Sequence, residues 1–170
     1  MDIVKTAGDW AKAEMLSSGV FVAFGLVFIA ASYGFWQYGK VDMARAFVWP
    51  TLLAGALLLI LGGGLLYSAY MIGAGAEAAF ATDGMGFVTS EIARVDSTVA
   101  TYKTAVFKVM PGIIILCAVL LMMVQGLVLR AGLMTAIVMV ASLMVVDANA
   151  SARLQAYKTQ LLFARDEGQL

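Results

Sequence analysis

Histidine is absent from this chain, and charged residues and cysteine are scarce. Without histidine, the chain lacks the side chain that most often shuttles protons and binds metals near neutral pH. The single cysteine, Cys117, excludes an internal disulfide bond and a thiolate metal cluster. Charged residues are 13% of the 170 positions, and 11 basic residues balance 11 acidic ones, so no net charge attracts nucleic acid. These shortages argue against a soluble enzyme, a disordered tail and a nucleic-acid-binding protein.

Apolar residues are abundant instead. They make up 62% of the chain, and the mean hydropathy is +0.92. Soluble domains are typically about 45–50% apolar, and a domain of this size has too little interior to hide the excess from water. The composition therefore predicts an integral membrane protein, and its long uncharged runs predict an all-α fold.

Four uncharged runs predict four transmembrane helices. A span needs about 20 apolar residues, and the fourth run reaches that length only if the helix continues past Asp147. The third and fourth spans should meet in a tight turn near Arg130. Residues 1–16 form an amphipathic segment that either lies on the membrane surface or is a frayed terminus. The predicted spans are 17–38, 47–73, 109–129 and 132–150. A polar segment at 77–108 is helical from about 87, and a C-terminal helix and tail cover 151–170.

Lysine and arginine are divided unevenly between the two ends of these spans. Four spans place both termini on one face, which then carries eight of the 11 basic residues; the other face has Lys40, Arg45 and Arg130. The positive-inside rule makes the richer face cytoplasmic. We therefore expect a multi-pass protein of the bacterial inner (cytoplasmic) membrane, with both termini in the cytoplasm.

Two heptad stripes mark the predicted cytoplasmic segments. The first is Val88, Ile92, Val95, Val99, Tyr102, Val106 and Val109, and the second is Ala150, Leu154, Tyr157, Leu161 and Ala164. This spacing predicts a cytoplasmic helical hairpin that extends the third and fourth spans. The stripes either dock a partner or a second copy, or bury each other. The candidate interface residues are Glu91, Arg94, Val95, Val99, Tyr102, Leu154, Tyr157 and Leu161.

Small residues recur four positions apart in the spans, where they let helices approach closely in lipid. Gly132 and Ala136 form one such pair near the start of the fourth span. The contact is either between the first two spans or with another molecule. The candidate helix-contact residues are Gly19, Ala23, Ala30, Gly34, Gly62, Gly63, Gly64 and Ser68.

Reactive groups are missing from the spans. Asp147 is the one charged residue assigned to a span, which argues against an ion path or a proton relay. We expect it to lie at the membrane interface or to pair with Lys108. We predict no catalytic residue, no metal site and no cofactor.

Two stretches carry a resemblance. They are Asp83, Phe87, Glu91, Arg94, Val95, Val99 and Tyr102 ahead of a span, and Asp147–Ala152 with Arg153, Tyr157 and Leu161. This pattern resembles small four-span bacterial inner-membrane proteins of unassigned function, some of which resemble immunity partners against secreted toxins. The resemblance implies a protein that binds another membrane protein.

Together these features predict a non-enzymatic inner-membrane protein that acts by helix–helix contact with another membrane protein. Its role would be immunity, accessory or scaffold. The alternative is a homo-oligomeric pore or channel. The expected partners are the lipid bilayer and a membrane protein or a second copy of the chain, with no nucleic acid.

Overall fold

The computed structural model describes residues 3–166, and all of its regular elements are helices. They are α1 (Ile3–Tyr38), α2 (Asp42–Ala46), α3 (Val48–Thr82), α4 (Gly84–Thr104), α5 (Met110–Met123) and α6 (Leu127–Asp166), with a π-helical turn, Ala105–Val109, between α4 and α5. Four helical segments are long and apolar enough to cross a membrane: α1, α2 together with α3 (Asp42–Thr82), α4 together with the π-helical turn and α5 (Gly84–Met123), and α6. The all-α prediction with four long apolar helices is thus confirmed. Residues 1–2 and 167–170 of the predicted terminal segments lie outside the described residues.

Each of the four helices is longer than a bilayer requires. Lengths of 36 to 41 residues, at about 1.5 Å per residue, give roughly 54–62 Å, against about 30 Å of hydrocarbon. The helices therefore have an apolar half and a charged half. We define the charged half as residues 3–18, 69–104 and 147–166, and the apolar half as the remainder of the four helices with their connections.

The charged half is a four-helix bundle. Its core joins α1, α3, α4 and α6, and is formed by Ile3, Ala7, Ala76, Val88, Val95, Leu154, Tyr157, Leu161 and Ala164. The two predicted stripes thus bury each other with the help of two further helices, so a two-helix hairpin is an incomplete description. The prediction that segment 1–16 lies on the membrane surface is wrong. Its apolar side packs against protein, and α1 continues unbroken into the first apolar span.

The apolar half is less evenly packed. α1 lies closely along α3, and a second core forms from Phe21, Phe28, Ala54, Leu58 and Val146. At the far end of this pair, the Ser32 hydroxyl donates a hydrogen bond to the Val48 carbonyl over 2.7 Å. Within the described part of the chain, α5 packs only against α6 and the π-helical turn. Most of the α5 surface is therefore not covered by other helices of the described chain.

The turn between the third and fourth spans lies earlier than predicted. α5 ends at Met123, Val124 is extended, and α6 begins at Leu127, so the predicted span ends at 129 and 132 are wrong. The Arg130 N–H donates to the Gly126 carbonyl as part of the new helix. The prediction failed because a charge marks where hydrocarbon is unfavourable, not where backbone hydrogen bonds stop. A long arginine side chain can reach water from inside a first helical turn.

The helices on either side of Asp83 also extend further than predicted. α3 runs to Thr82 and α4 begins at Gly84, rather than near residue 87. Asp83 is the single non-helical residue between them, and its carboxylate accepts a hydrogen bond from the Gly86 N–H over 2.9 Å. An aspartate at this position satisfies a donor that the first helical turn leaves free, which is why the chain can turn so sharply.

The π-helical turn changes the course of the first stripe. Val88, Val95 and Val106 are buried, as the heptad spacing predicts, but Val109 is 52% exposed. A π-helical turn adds one residue to the helical repeat, so the residues after it are rotated by about 100°. The inclusion of Val109 in the stripe is therefore wrong. The apolar stripe of α4 does not continue along the same side of α5.

Candidate functional site

A charged cluster lies inside the four-helix bundle, on α4 and α6. The Arg94 side chain donates two hydrogen bonds to Glu91, from Nε to Oε1 at 2.9 Å and from Nη2 to Oε2 at 2.7 Å. The Tyr157 hydroxyl donates to Glu91 Oε2 over 3.2 Å. The Glu91 side chain is only 10% exposed, although Glu91 lies outside the apolar stripe of α4. Two partners compensate the cost of burying this carboxylate.

Trp10 joins this cluster to α1. Its ring stacks on Tyr157 with centroids 5.3 Å apart, and the Arg94 guanidinium lies 4.7 Å from its centroid. The three side chains come from α1, α6 and α4. Cation–π and aromatic contacts of this kind each stabilise by about 0.5–2 kcal/mol. The cluster therefore fixes the N-terminal part of α1 against both other helices.

A second charged cluster lies nearer to the apolar half. Arg153 Nη2 lies 3.6 Å from Glu14 Oε2 and also donates to the Ser17 hydroxyl. The Tyr102 hydroxyl lies 3.5 Å from Glu14 Oε1. These side chains again come from α1, α4 and α6. The expected pairing of Asp147 with Lys108 does not occur among the described residues; Asp147 lies within electrostatic range of Glu14.

The two tyrosines hold corresponding positions in the two clusters. Tyr102 on α4 faces Glu14 of α1, and Tyr157 on α6 faces Glu91 of α4. Burial, followed by the charge of Glu14, raises the pKa of Tyr102 above its ordinary value. Burial and the charge of Glu91 do the same to the pKa of Tyr157. Both hydroxyls therefore stay protonated and can donate to the carboxylates near neutral pH.

The predicted cytoplasmic interface is mostly internal. Val95, Leu154, Tyr157 and Leu161 are buried in the core, and Val99 packs against it. The remaining three candidates, Glu91, Arg94 and Tyr102, belong to the charged clusters. These residues hold the bundle together, so a docking surface has to be sought elsewhere.

The predicted helix-contact residues separate into two groups. Gly62 is buried at the α1–α3 contact, where an added Cβ would lie 3.0 Å from Phe21 Cβ and Val22 Cγ2. An added Cβ would meet open space at Gly19, Gly34, Gly63 and Gly64, and Ala23, Ala30 and Ser68 are exposed. Within the described chain, only Gly62 of this set makes the close α1–α3 approach.

Sequence reasoning missed the tightest point of that approach. A Cβ on Gly55 would lie 2.8 Å from the Gly25 carbonyl oxygen, and one on Gly25 would lie 3.0 Å from the Gly55 carbonyl oxygen. The two glycines let the backbones meet directly, as small residues do in membrane helix pairs. The seven-residue interval between Gly55 and Gly62 marks this face in the sequence, whereas the predicted contact residues are pairs four positions apart.

Two apolar grooves flank α6 in the apolar half. Groove 1 lies between α3 and α6 and has a volume of about 620 Å³. Its base includes the small residues Ala54, Gly132 and Ala136, and its edge includes Trp49 and Leu53. Groove 2, of about 350 Å³, lies on the other side of α6, against Phe24 and Val27 of α1. Both grooves are concave and open, whereas the uncovered surface of α5 is not part of either groove.

The remaining ionisable and sulfur-containing groups are possible ligands for a metal ion. Within residues 3–166, no group of three or more His, Cys, Asp or Glu side chains is placed to hold a metal ion. Cys117 is buried in the helix pair that α5 forms with α6. The charged clusters contain acids and bases, but each carboxylate already faces a cation or a tyrosine hydroxyl. The two charged clusters hold α1, α4 and α6 in position relative to one another.

Comparisons with protein-family models, curated proteins and solved structures found no match. The resemblance to small four-span membrane proteins therefore stays a prediction.

Proposed function

We propose that this chain is a multi-pass protein of the bacterial inner membrane that binds an apolar transmembrane helix of another membrane protein in groove 1. The observation that carries this proposal is the contrast between its two halves. The charged half packs around a core and two charged clusters, whereas the apolar half leaves a larger groove, of about 620 Å³, open. A well-packed charged half joined to an open groove 1 suits a protein that binds another transmembrane helix.

The residues of groove 1 fit a helix. Gly132 and Ala136 are one helical turn apart on α6, and Ala54 of α3 lies with them at the groove. Small residues allow a second helix to approach closely, and dispersion then replaces the hydrophobic drive that lipid does not provide. The lining is apolar apart from Thr135, whose hydroxyl is already bonded to the Ala131 carbonyl at 2.8 Å. A partner helix needs no charged residue at this contact.

The orientation follows from charge. The charged half holds seven of the 11 basic residues, and an eighth, Lys108, follows it in the π-helical turn. By the positive-inside rule we expect this end of the molecule in the cytoplasm. Both termini would then be cytoplasmic, and groove 1 would open within the outer part of the membrane. An immunity, accessory or scaffold role is compatible with such a binding site.

Photo-crosslinking in cells tests the proposal. A benzoylphenylalanine at Ala136 should cross-link to one membrane protein, whereas the same probe at Ile60, an exposed apolar position on α3, should not. Gly132→Leu should strongly reduce the cross-link. An added Cβ at Gly132 meets no neighbouring atom within 4 Å, so we expect the leucine side chain to enter the groove without unfolding the chain. Overpacking of about 1–3 kcal/mol corresponds to a factor of roughly 5 to 150 in binding.

Gly64→Leu is the matched control, because Gly64 is also open at Cβ but does not line the groove. Equal losses in the two leucine variants would contradict groove 1 as the site. A cross-link from Ala136 to a second copy of the chain would show that groove 1 binds another copy of this protein rather than a different membrane protein. Ion conduction by the purified protein in liposomes would favour the pore.

A further inference from the structure

A small cleft adjoins groove 1 at the end of the molecule that lies away from the charged half. We call it the aromatic cleft; it has a volume of about 380 Å³ and is lined by Trp36, Arg45, Val48 and Trp49. Trp49 also lines groove 1, so the two depressions meet at this side chain. A helix that occupies groove 1 therefore passes the aromatic cleft where it leaves the groove.

Arg45 is held in this cleft by the turn that precedes α2. Its Nε donates a hydrogen bond to the Gly39 carbonyl over 3.1 Å, and a Cβ added at Gly39 would lie 3.4 Å from Arg45 Cγ. Its Nη atoms donate to no acceptor within residues 3–166. The short helix that carries Arg45, α2, contacts both α3 and α6, which are the two helices that form groove 1.

Positive charge is in excess at this end of the molecule. The bases here are Lys40, Arg45 and Arg130, the one acid is Asp42, and all four residues are exposed. None of the three bases forms an ion pair within the described part of the chain. A partner with an acidic residue at this end is therefore attracted, and a partner with a basic residue is repelled.

Two tryptophans indicate the depth of the aromatic cleft. Trp36 and Trp49 are 66% and 75% exposed, and tryptophan is enriched where hydrocarbon meets water because its ring is apolar and its N–H is polar. If the chain crosses a membrane as proposed above, the cleft lies at that boundary. A carboxylate of a partner stays hydrated and ionised at this depth, so it can pair with a guanidinium.

We propose that the partner helix of groove 1 carries an aspartate or a glutamate just beyond its end, and that this carboxylate pairs with Arg45 in the aromatic cleft. This pairing depends on the proposed function, because it describes the occupant of the same groove. The apolar lining of groove 1 would accept many transmembrane helices. The pair with Arg45 selects the helices that have an acid at this end, and a guanidinium binds a carboxylate with favourable geometry.

Photo-crosslinking from Ala136 tests the pairing with the partner as it exists in cells. Benzoylphenylalanine at Ala136 captures the partner, and mass spectrometry of the cross-linked product identifies its helix. We expect an aspartate or a glutamate within about one helical turn of the end of that helix, on the side where it passes Trp49. A partner that lacks an acid there would overturn the proposal.

Charge reversal measures the pair. Arg45→Glu should lower the cross-link yield about fivefold, the upper value for an exposed ion pair of about 1 kcal/mol. Exchange of the partner's acid for lysine should cause the same loss with native Arg45, and it leaves this chain unaltered. The two changes together should restore the yield. Lys40→Glu is the matched control, because it makes the same charge change at the same end but lines neither depression; it should leave the yield unchanged.

The outcomes separate this pairing from the binding site itself. A yield that Arg45→Glu leaves unchanged would overturn the pairing but keep groove 1 as the site. A loss that the partner's lysine does not restore would assign Arg45 to another acceptor, such as a lipid phosphate, and would also overturn the pairing. No cross-link from Ala136 in the native chain would overturn the proposed function, and the pairing with it.

Discussion

The guanidinium of Arg94 lies 4.7 Å from the ring centroid of Trp10 and, on its other side, forms two hydrogen bonds with Glu91. Arg94 thereby joins α4 to the N-terminal part of α1. Together with the burial of Ile3 and Ala7 in the core, this contact holds the N-terminal part of α1 against the other helices. Single substitutions at these residues should therefore change the stability of the charged half.

Arg94→Met should strongly destabilise the charged half. It leaves the Glu91 carboxylate, which is 10% exposed, with only the Tyr157 hydroxyl, and removing one partner of a buried ion pair costs about 3 kcal/mol or more. Thermal unfolding in detergent, followed by circular dichroism, measures the loss. Arg165→Met is the control: its partner Asp166 is the next residue and both side chains are largely exposed, so the change should stay under about 1 kcal/mol. Similar losses in both variants would remove the case for a structural Arg94.

Gly55→Ala should weaken the α1–α3 pair. Its Cβ would lie 2.8 Å from the Gly25 carbonyl oxygen and 2.7 Å from Ile29 Cγ1, and overpacking of this kind costs about 1–3 kcal/mol. Gly63→Ala is the same change on the same helix in open space, where it should stabilise by up to about 1 kcal/mol. Unfolding of both variants by sodium dodecyl sulfate in mixed micelles compares them. The same sign for both changes would contradict the direct backbone contact.

Val95→Asp should disrupt the bundle core. Val95 is fully buried (0% exposed), and an unpaired charge at such a site costs several kcal/mol. Ala100→Asp introduces the same side chain on the exposed side of α4 and should change stability by only about 0.5 kcal/mol. Melting temperatures in detergent separate the two. If both variants melted alike, the stripe would not face a core.

Deletion of Phe107 should convert the π-helical turn into a continuous α-helix. Phe107 is 67% exposed, so the deletion removes little packing, but it rotates α5 relative to α4 by about 100°. Cys117, which is 8% exposed, would then leave the α6 contact. In the folded, detergent-solubilised protein at alkaline pH, where the thiolate forms, the deletion variant should react with a maleimide faster than the native chain; after unfolding, the two should react equally. Phe107→Ala retains the turn and should leave Cys117 protected. Protection of Cys117 in the deletion variant would show that the turn does not set the orientation of α5.

Single cysteines should reveal the proposed orientation. In a Cys117→Ala background, Lys40→Cys should react with an impermeant maleimide added to intact cells, whereas Thr101→Cys should react only after lysis. Both positions are exposed, so burial does not explain a difference. The expectation rests on the excess of basic residues around the charged half. The reverse labelling pattern would invert the topology.

Local patterns in the sequence were sufficient for the class of fold. Long uncharged runs predict helices that can enter hydrocarbon, and the heptad intervals predict that Val88, Val95, Leu154 and Leu161 face a core. These properties depend on residues a few positions apart in one helix, and the 3.6-residue repeat relates such residues directly. The same reasoning failed at residue 130, because a charge does not itself end a helix.

The tertiary structure decided which of several equivalent residues acquired a role. Glu91 and Glu77 are both helical glutamates, yet Glu91 is buried and Glu77 is exposed, since only Glu91 has Arg94 and Tyr157 beside it. Gly55 and Gly63 have similar neighbours in the sequence, yet only Gly55 faces α1 at a distance that excludes a Cβ. Burial and close approach depend on the residue that packs opposite, such as Tyr157 for Glu91 and Gly25 for Gly55. These opposing residues are distant in the sequence, so local patterns do not reveal them.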